Sequence, residues 1–233
     1  MSEVAAKDSQ PVDFDAFADG YDAALDLGIS LSGENKSYFA RGRVEWLRRC
    51  LPGAPPKRVL DYGCGTGSTS PLLQSVLGAD SVIGVDISRE EIALARRRAG
   101  RGLSFATIDE FKPQADVDLA YCNGVFHHVP LDQRARAIGY IRDSLRPGGL
   151  FAFWENNPWN PATRLVMSRI PFDRDAILIS AREACRLARA GGFEILGTQF
   201  AFVFPKMLRS LRRLEAPLSG FPLGAQYQVL CRK

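Results

Sequence analysis

The chain lacks several features that would assign it to common protein classes. It has no apolar run long enough to span a bilayer, and Met1-Ser2-Glu3 shows no signal-peptide pattern. Its five cysteines are widely separated and form no C-x-x-C pair, which argues against disulfides and zinc ligation. Only two histidines occur, His127 and His128, with no carboxylate cluster beside them, so we expect no metal site. These absences predict a cytoplasmic protein with reduced thiols.

Charge and composition are those of an ordinary globular domain. A length of 233 residues with a net charge of +4 fits one α/β domain, and we find no internal repeat or low-complexity segment. Arginines recur in short runs, such as Arg96-Arg97-Arg98 and the group Arg209, Arg212 and Arg213. We interpret these runs as solvated helix faces and expect no nucleic-acid partner. The sequence does not indicate an oligomeric state.

A glycine-rich turn is the strongest motif in the chain. The apolar strand beginning at Val59 runs into Asp61 and then Gly63, Gly65 and Gly67, at every second position. About twenty residues later a second apolar strand ends in Asp86. Glycines let the backbone turn tightly and approach a ligand, and a carboxylate ending the second strand accepts ribose hydroxyls. The pattern predicts a pocket for a nucleoside-containing cofactor.

The spacing of the glycines narrows the choice of cofactor. The dinucleotide fingerprint G-x-G-x-x-G places its third glycine where this chain has Ser68, and no Gly-Lys-Ser/Thr marks a phosphate-binding loop. Asp61 would repel a pyrophosphate but suits a ligand with positive charge. The acidic residue followed by G-x-G-x-G resembles the first motif of the class I S-adenosylmethionine-dependent methyltransferases, whose cofactor carries a sulfonium and an ammonium.

Downstream segments follow the same family order. Leu103–Ile108 reads as a third strand running into Asp109, Val117–Asn123 as a fourth, and Leu145–Phe153 as a helix end, a Pro-Gly-Gly turn and a fifth strand. The resemblance implies that Ile108 packs on the adenine, that Asp109 accepts from its amino group, and that Tyr21 reaches the cofactor carboxylate. The full set expected to bind S-adenosylmethionine is Tyr21, Asp61, Gly63, Cys64, Gly65, Gly67, Asp86, Ile87, Ile108, Asp109 and Asn123.

The fold expected is α/β, a Rossmann-like, mostly parallel sheet of seven strands with helices on both faces. Alternating strands and helices predict the parallel core. The last two strands, at 193–196 and 226–231, are expected to close the sheet as an antiparallel pair, with the final strand inserted before the sixth. Helices are predicted at 36–50, 69–77, 88–99, 131–145 and 180–190. Residues 1–54, with Phe14, Phe17 and Tyr21 at helical spacing, would form a helical cap or substrate segment, and 55–233 the cofactor-binding core.

The segment Trp154–Pro161 is the predicted acceptor-binding loop. Ligands of open α/β sheets bind beyond the carboxyl ends of the strands, and this segment follows the fifth strand. Asn157-Pro158-Trp159 resembles the N-P-P-[YFW] motif of amide and nucleic-acid methyltransferases, but that motif belongs after strand four. The alternative is a proline-fixed loop without ligand contact. The substrate candidates are Trp154, Glu155, Asn156, Asn157 and Trp159.

His127 and His128 are the candidate general bases. Methyl transfer to a hydroxyl requires alignment of donor and acceptor and removal of a proton, which a histidine performs near neutral pH. The alternative is that either ring only packs on the cofactor, and we favour His127 as the base.

The sequence therefore predicts an S-adenosylmethionine-dependent methyltransferase acting on a small molecule, at a hydroxyl oxygen. The acceptor stays open among sugars, lipid-linked intermediates, polyketides and other metabolites. The alternatives are a non-catalytic cofactor-binding protein, a nucleic-acid or protein methyltransferase, and a nicotinamide-dependent oxidoreductase, for which the third glycine is missing.

Overall fold

A computed structural model describes residues 28–170 and 176–233 of the chain. The predicted N-terminal helix with Phe14, Phe17 and Tyr21 lies outside the described residues. Within them, no helix is long and apolar enough to cross a membrane.

The described elements alternate between strands and helices from residue 58 onwards. The helices are α1 (Lys36–Cys50), α2 (Ser70–Leu77), α3 (Arg89–Arg97), α4 (Arg134–Ser144), α5 (Pro161–Met167), α6 (Ala181–Ala190) and α7 (Glu215–Leu218). The strands are β1 (Arg58–Tyr62), β2 (Ser81–Asp86), β3 (Leu103–Thr107), β4 (Val117–Asn123), β5 (Leu145–Asn156), β6 (Glu194–Ala201) and β7 (Gln226–Arg232). Two 3-10 helices cover Ser30–Ser32 and Lys206–Leu214.

The seven strands form one sheet in the order β3-β2-β1-β4-β5-β7-β6. The first five are parallel, whereas β7 pairs antiparallel with both β5 and β6. The predicted fold class and the insertion of the last strand before the sixth are therefore confirmed. Because β7 runs backwards, β6 ends at the same sheet edge as the parallel strands, so the connection from β6 to β7 lies at the edge where ligands bind.

Each face of the sheet is covered by helices that bury their apolar stripes. On one face α4 and α6 pack against β4 and β5 through residues such as Ile138, Ala184 and Phe151. On the other, α1 and α2 pack through Leu47 and Leu73. Helix α6 begins with the predicted capping box, in which Ser180 and Glu183 exchange hydrogen bonds. Because both faces of the sheet are buried, the edge formed by the carboxyl ends of the parallel strands is held in place, and this edge carries the site.

The fifth strand is longer than the sequence predicts. It continues to Asn156, so Trp154, Glu155 and Asn156 belong to the strand and not to a loop. These three residues pair with Gln228, Tyr227 and Gln226 of β7. The predicted loop is thus corrected to residues 157–160, because the antiparallel partner β7 extends the ladder, a contact between segments about seventy residues apart that no local pattern reveals.

Candidate functional site

The glycine turn after β1 adopts the backbone that its sequence demands. Gly63, Gly65 and Gly67 have φ angles of 71°, 54° and 74°, in the left-handed region that favours glycine. The N–H groups of Gly63 and Cys64 donate to the Val85 carbonyl at 2.8 and 3.1 Å. The turn is thereby fastened to the end of β2.

Asp86 holds this turn in place from the end of β2. One carboxylate oxygen accepts the Gly65 N–H at 2.8 Å and the other accepts the Ser88 N–H at 3.0 Å. Each carboxylate oxygen has a second lone pair, so the same group is able to accept from ligand hydroxyls. Asp86 thus shapes the glycine turn and also lines the cavity in front of it.

A cavity of about 750 Å³ opens in front of the glycine turn, at the carboxyl ends of β1, β2 and β4. Eight of the predicted cofactor residues line it: Gly63, Cys64, Gly65, Asp86, Ile87, Ile108, Asp109 and Asn123. We call it the cofactor cavity. Its volume suits a nucleoside-sized ligand.

Asp61 and Gly67 lie behind this cavity and do not line it. Asp61 is buried and accepts a hydrogen bond from Ser70 Oγ at 2.7 Å, and burial raises its pKa to about 7. A side chain at Gly67 would approach the Phe105 ring to 2.7 Å. Both residues support the turn from the side away from the cavity. The motif alone does not distinguish residues with this supporting role from residues that contact the ligand.

An aromatic wall completes the cofactor cavity. Tyr62, Phe111 and Tyr140 line it, and the rings of Tyr62 and Tyr140 lie 5.7 Å apart. The Tyr140 hydroxyl donates to the Phe111 carbonyl at 3.0 Å, which orients its ring. Sequence reasoning missed this wall because Tyr140 comes from α4, whose rotation about its axis depends on packing.

Arg43 is a further residue that sequence reasoning missed. The residue is only 6% exposed, and its guanidinium donates to Tyr121 Oη and to Gln226 Oε1. It makes no ion pair in the described part of the chain, and the Asp61 carboxyl acts on it only at longer range. A buried charge without an ion-pair partner is costly, and a ligand carboxylate would relieve that cost. Arg43 lies on α1 and lines both the cofactor cavity and a second cavity beside it.

The second cavity, of about 500 Å³, adjoins the first at the carboxyl end of β5. The two share five lining residues: Lys36, Arg43, Asn123, Gly124 and His128. Most of the second cavity is apolar, with contributions from Phe39, Val166, Ile170, Phe202 and Phe204. We call it the acceptor cavity.

His127 and Glu155 form a buried pair at the acceptor cavity. His127 Nδ1 lies 2.6 Å from Glu155 Oε2, and both side chains are at most 3% exposed. The second Glu155 oxygen accepts the Phe126 N–H at 2.7 Å. A carboxylate acceptor on Nδ1 places the proton there and makes Nε2 the basic nitrogen. His127 is one of the residues that line the acceptor cavity, while Glu155 lies behind it in β5.

The junction of the cavities is polar. His128 and Asn123 line both cavities, and the rings of His127 and His128 lie 4.1 Å apart. Asn123 Oδ1 is buried and accepts no hydrogen bond from the described residues. This orphaned acceptor faces a position where a ligand N–H or ammonium group would satisfy it.

The structure places the predicted substrate residues in different environments, and only one of them lines a cavity. Asn156 lines the acceptor cavity, whereas Trp154 and Glu155 are wholly buried in β5. Asn157 is buried and bonds the Pro222 and Gly224 carbonyls, and Trp159 is 60% exposed and lines neither cavity. Among the described residues, no group of three or more metal-ligating side chains occurs.

Comparisons with known proteins agree with this geometry. The model of a methyltransferase domain family matches residues 35–197. A trans-aconitate 2-methyltransferase of Rhodopseudomonas palustris is 31% identical over 52% of this chain and 47% of its own length. A ribosomal protein L11 methyltransferase of Burkholderia vietnamiensis is 31% identical over 55% of this chain and 40% of its own. The chain thus spans about half the length of the curated relatives it matches.

A crystal structure of an S-adenosylmethionine dependent methyltransferase from Mesorhizobium loti has the same fold. It covers 83% of this chain and 100% of its own, with a TM-score of 0.61 and 23% identity. The glycine turn, the strand-terminal Asp86 and the orphaned Asn123 acceptor suit the cofactor of such proteins, which carries ribose hydroxyls and an ammonium group. The chain belongs to the class I S-adenosylmethionine-dependent methyltransferase family.

Proposed function

We propose that this chain transfers a methyl group from S-adenosylmethionine to a hydroxyl oxygen of a small-molecule acceptor. The observation that carries the proposal is the meeting of two cavities at Asn123, Gly124 and His128, with the buried His127–Glu155 pair on the acceptor side. One cavity has the cofactor motifs, and the other has a candidate base and an apolar lining.

Residues of the cofactor cavity are suited to each part of S-adenosylmethionine, which supplies an activated methyl group when bound. Asp86 would accept the ribose hydroxyls and Asp109 the adenine amino group. Arg43 would bind the carboxylate and Asn123 Oδ1 the ammonium, because each of these groups lacks such a partner among the described residues. Charge-assisted hydrogen bonds of this kind are the strong ones in proteins.

His127 would remove the proton of the acceptor hydroxyl. Glu155 fixes the proton on Nδ1 and stabilises the imidazolium that forms when Nε2 takes up the second proton. Glu155 is buried and lines neither cavity, so we assign it to positioning and not to substrate contact. This changes the role that the sequence suggested for it.

The lining of the acceptor cavity favours a molecule with an apolar body. Phe39, Phe202 and Phe204 supply flat apolar surface, and Asn156 and Gln226 are among the polar groups at its wall. The relatives named for trans-aconitate support a small-molecule acceptor, and those named for ribosomal protein L11 are the reason to include a protein in the acceptor screen.

Two further assignments complete the proposal. We assign residues 1–54 to a cap over the acceptor, and 55–233 to the core, because Lys36, Tyr38, Phe39 and Arg43 of α1 line the acceptor cavity.

We place the protein in the cytoplasm, because its five cysteines are all free thiols.

Formation of S-adenosylhomocysteine in the presence of an acceptor tests the proposed function. His127→Ala should retain cofactor affinity and lose about 10²–10⁴ in kcat. His128→Ala is the matched control, since His128 lines the same junction without the bond to Glu155. Glu155→Gln keeps an acceptor for the Phe126 N–H but removes the charge that stabilises the imidazolium, so it should lower kcat.

Equal kcat in the parent and both histidine variants would remove the base assignment and leave alignment as the source of catalysis. Cofactor binding without product from any small molecule, protein or nucleic acid would favour a non-catalytic binding protein.

A further inference from the structure

Exposed apolar side chains are concentrated in two segments of the chain. Of nine large apolar side chains that are exposed among the described residues, seven lie in two segments, 159–165 and 207–223. These seven are Trp159, Leu165, Met207, Leu208, Leu214, Phe221 and Leu223, and we call them the apolar patch. Met207 is 88% exposed. Scattered exposed apolar residues are normal, but such a concentration marks an interaction site.

The two segments are fastened to each other. Asn160 Nδ2 donates to the Leu223 carbonyl at 2.8 Å, and Asn157 Nδ2 donates to the Pro222 and Gly224 carbonyls. The second segment connects β6 to β7 and therefore lies at the sheet edge that carries both cavities. These bonds join residues 157–160 to residues 222–224, and Leu165 lines the same cavity as Pro205 and Arg212, so the two segments are neighbours.

Positive charge accompanies the patch. Between residues 206 and 223 the chain has four basic residues and one acidic residue, Glu215. Arg212 is turned inward, where it pairs with Glu34 and stacks on Tyr38, and Glu215 accepts the Phe204 N–H. The other three, Lys206, Arg209 and Arg213, are exposed and make no ion pair in the described part of the chain. The free charge of this surface is therefore cationic.

Interleaved basic and apolar side chains on a short helical segment are typical of chains that lie in a membrane interface. The apolar groups enter the boundary between headgroups and acyl chains while the basic groups meet anionic phosphates. A nucleic acid would satisfy Arg209 and Arg213 but would gain nothing from Met207 and Leu208. An apolar protein groove would gain nothing from the three unpaired cations.

We propose that the surface formed by residues 157–165 and 206–223 docks the protein onto an anionic lipid surface. Docking does not depend on methyl transfer. Under the proposed function it has one consequence, because Leu165, Phe204, Pro205 and Arg212 belong to the wall of the acceptor cavity. The cavity would then lie beside the headgroups, where an amphipathic acceptor is concentrated.

Flotation of the full chain with vesicles tests the docking surface. Binding is expected to vesicles that contain phosphatidylglycerol and not to phosphatidylcholine alone, and it should weaken as salt rises. Arg209→Gln combined with Arg213→Gln should lower partitioning roughly 30-fold, at about 1 kcal/mol per cation. Arg97→Gln combined with Arg98→Gln is the matched control, because it removes two exposed cations beside the opposite edge strand β3.

A second pair of variants tests the apolar half of the surface. Met207→Ser with Phe221→Ser should weaken vesicle binding, and Leu131→Ser, an exposed apolar residue outside the patch, should not. Absence of binding to anionic vesicles, or equal loss in both arginine pairs, would overturn the proposal. A third outcome would assign the patch to self-association. In that outcome the chain does not bind vesicles but forms a dimer, and Met207→Ser with Phe221→Ser dissociates this dimer. Cofactor titration is independent of each of these results.

Discussion

Arg43 is a buried residue whose guanidinium has two neutral hydrogen-bond partners and no ion-pair partner among the described residues. Replacement by Met keeps the apolar stem and removes the charge. Since charged hydrogen bonds contribute about 1.5–3 kcal/mol, we expect Arg43→Met to weaken S-adenosylhomocysteine binding roughly tenfold to a hundredfold in calorimetry.

Arg41 supplies the control for this variant. It lies on the same helix, is exposed and pairs with Glu45 of the next turn. Arg41→Met should leave cofactor affinity unchanged. Equal affinities for Arg43→Met and the parent would show that this guanidinium does not reach the cofactor.

The buried Asp61 carboxyl should make the free energy of unfolding depend on pH. Burial raises its pKa from the ordinary value of 3.8 to about 7. Between these two values the folded chain binds more protons at this site than the unfolded chain, so this contribution to stability is present at low pH and is lost as pH rises towards 7.

Asp61→Asn removes this titration while its side-chain oxygen still accepts from Ser70. The free energy of unfolding of the variant, relative to the parent, should therefore rise between pH 4 and 7 by up to roughly 1.4 kcal/mol per unit. Urea denaturation at several pH values measures this difference. A difference that does not vary over that range would contradict the raised pKa.

Individual elements follow local patterns where those patterns are strong. Helix α1 has the predicted bounds, and the helices that begin at Ser70, Arg89 and Ala181 lie within a few residues of the predictions. The sixth strand runs to Ala201, beyond its predicted end at residue 196, because pairing with β7 continues across a bulge near Gly197. Long-range pairing therefore accounts for this difference, as it does for the extension of β5.

The connection after β5 contains a buried structural residue, Asn157, and an exposed surface residue, Trp159. Asn157 is buried and its amide satisfies two carbonyls of the connection before β7. We expect Asn157→Ala to lose about 2 kcal/mol of unfolding free energy and to raise the acceptor KM through displacement of residues 222–225, without change in cofactor affinity.

Trp159→Ala is the control, because Trp159 is exposed and outside both cavities. Its stability should stay within about 0.5 kcal/mol of the parent, and its KM should not change. Equal behaviour of the two variants would contradict this division of roles.

At the scale of the whole molecule, the site is a junction between two cavities whose walls come from distant parts of the chain. The glycine turn and Asp86 are contiguous with their strands and were predictable from local sequence. The partnership of His127 with Glu155 depends on the pairing of β4 with β5, and the position of Arg43 depends on the packing of α1. Such contacts have no local signal, which is why sequence placed Glu155 among substrate residues.

The most direct measurement of the central claim is a calorimetric titration of the purified chain with S-adenosylhomocysteine and, separately, with NAD. We expect one equivalent of S-adenosylhomocysteine to bind per chain, with no detectable binding of NAD. Asp86→Ala should weaken binding by roughly 1–3 kcal/mol, through loss of ribose contacts and of the Gly65 anchor. Tighter binding of NAD, or unchanged affinity in folded Asp86→Ala protein, would contradict the assignment of the cofactor cavity.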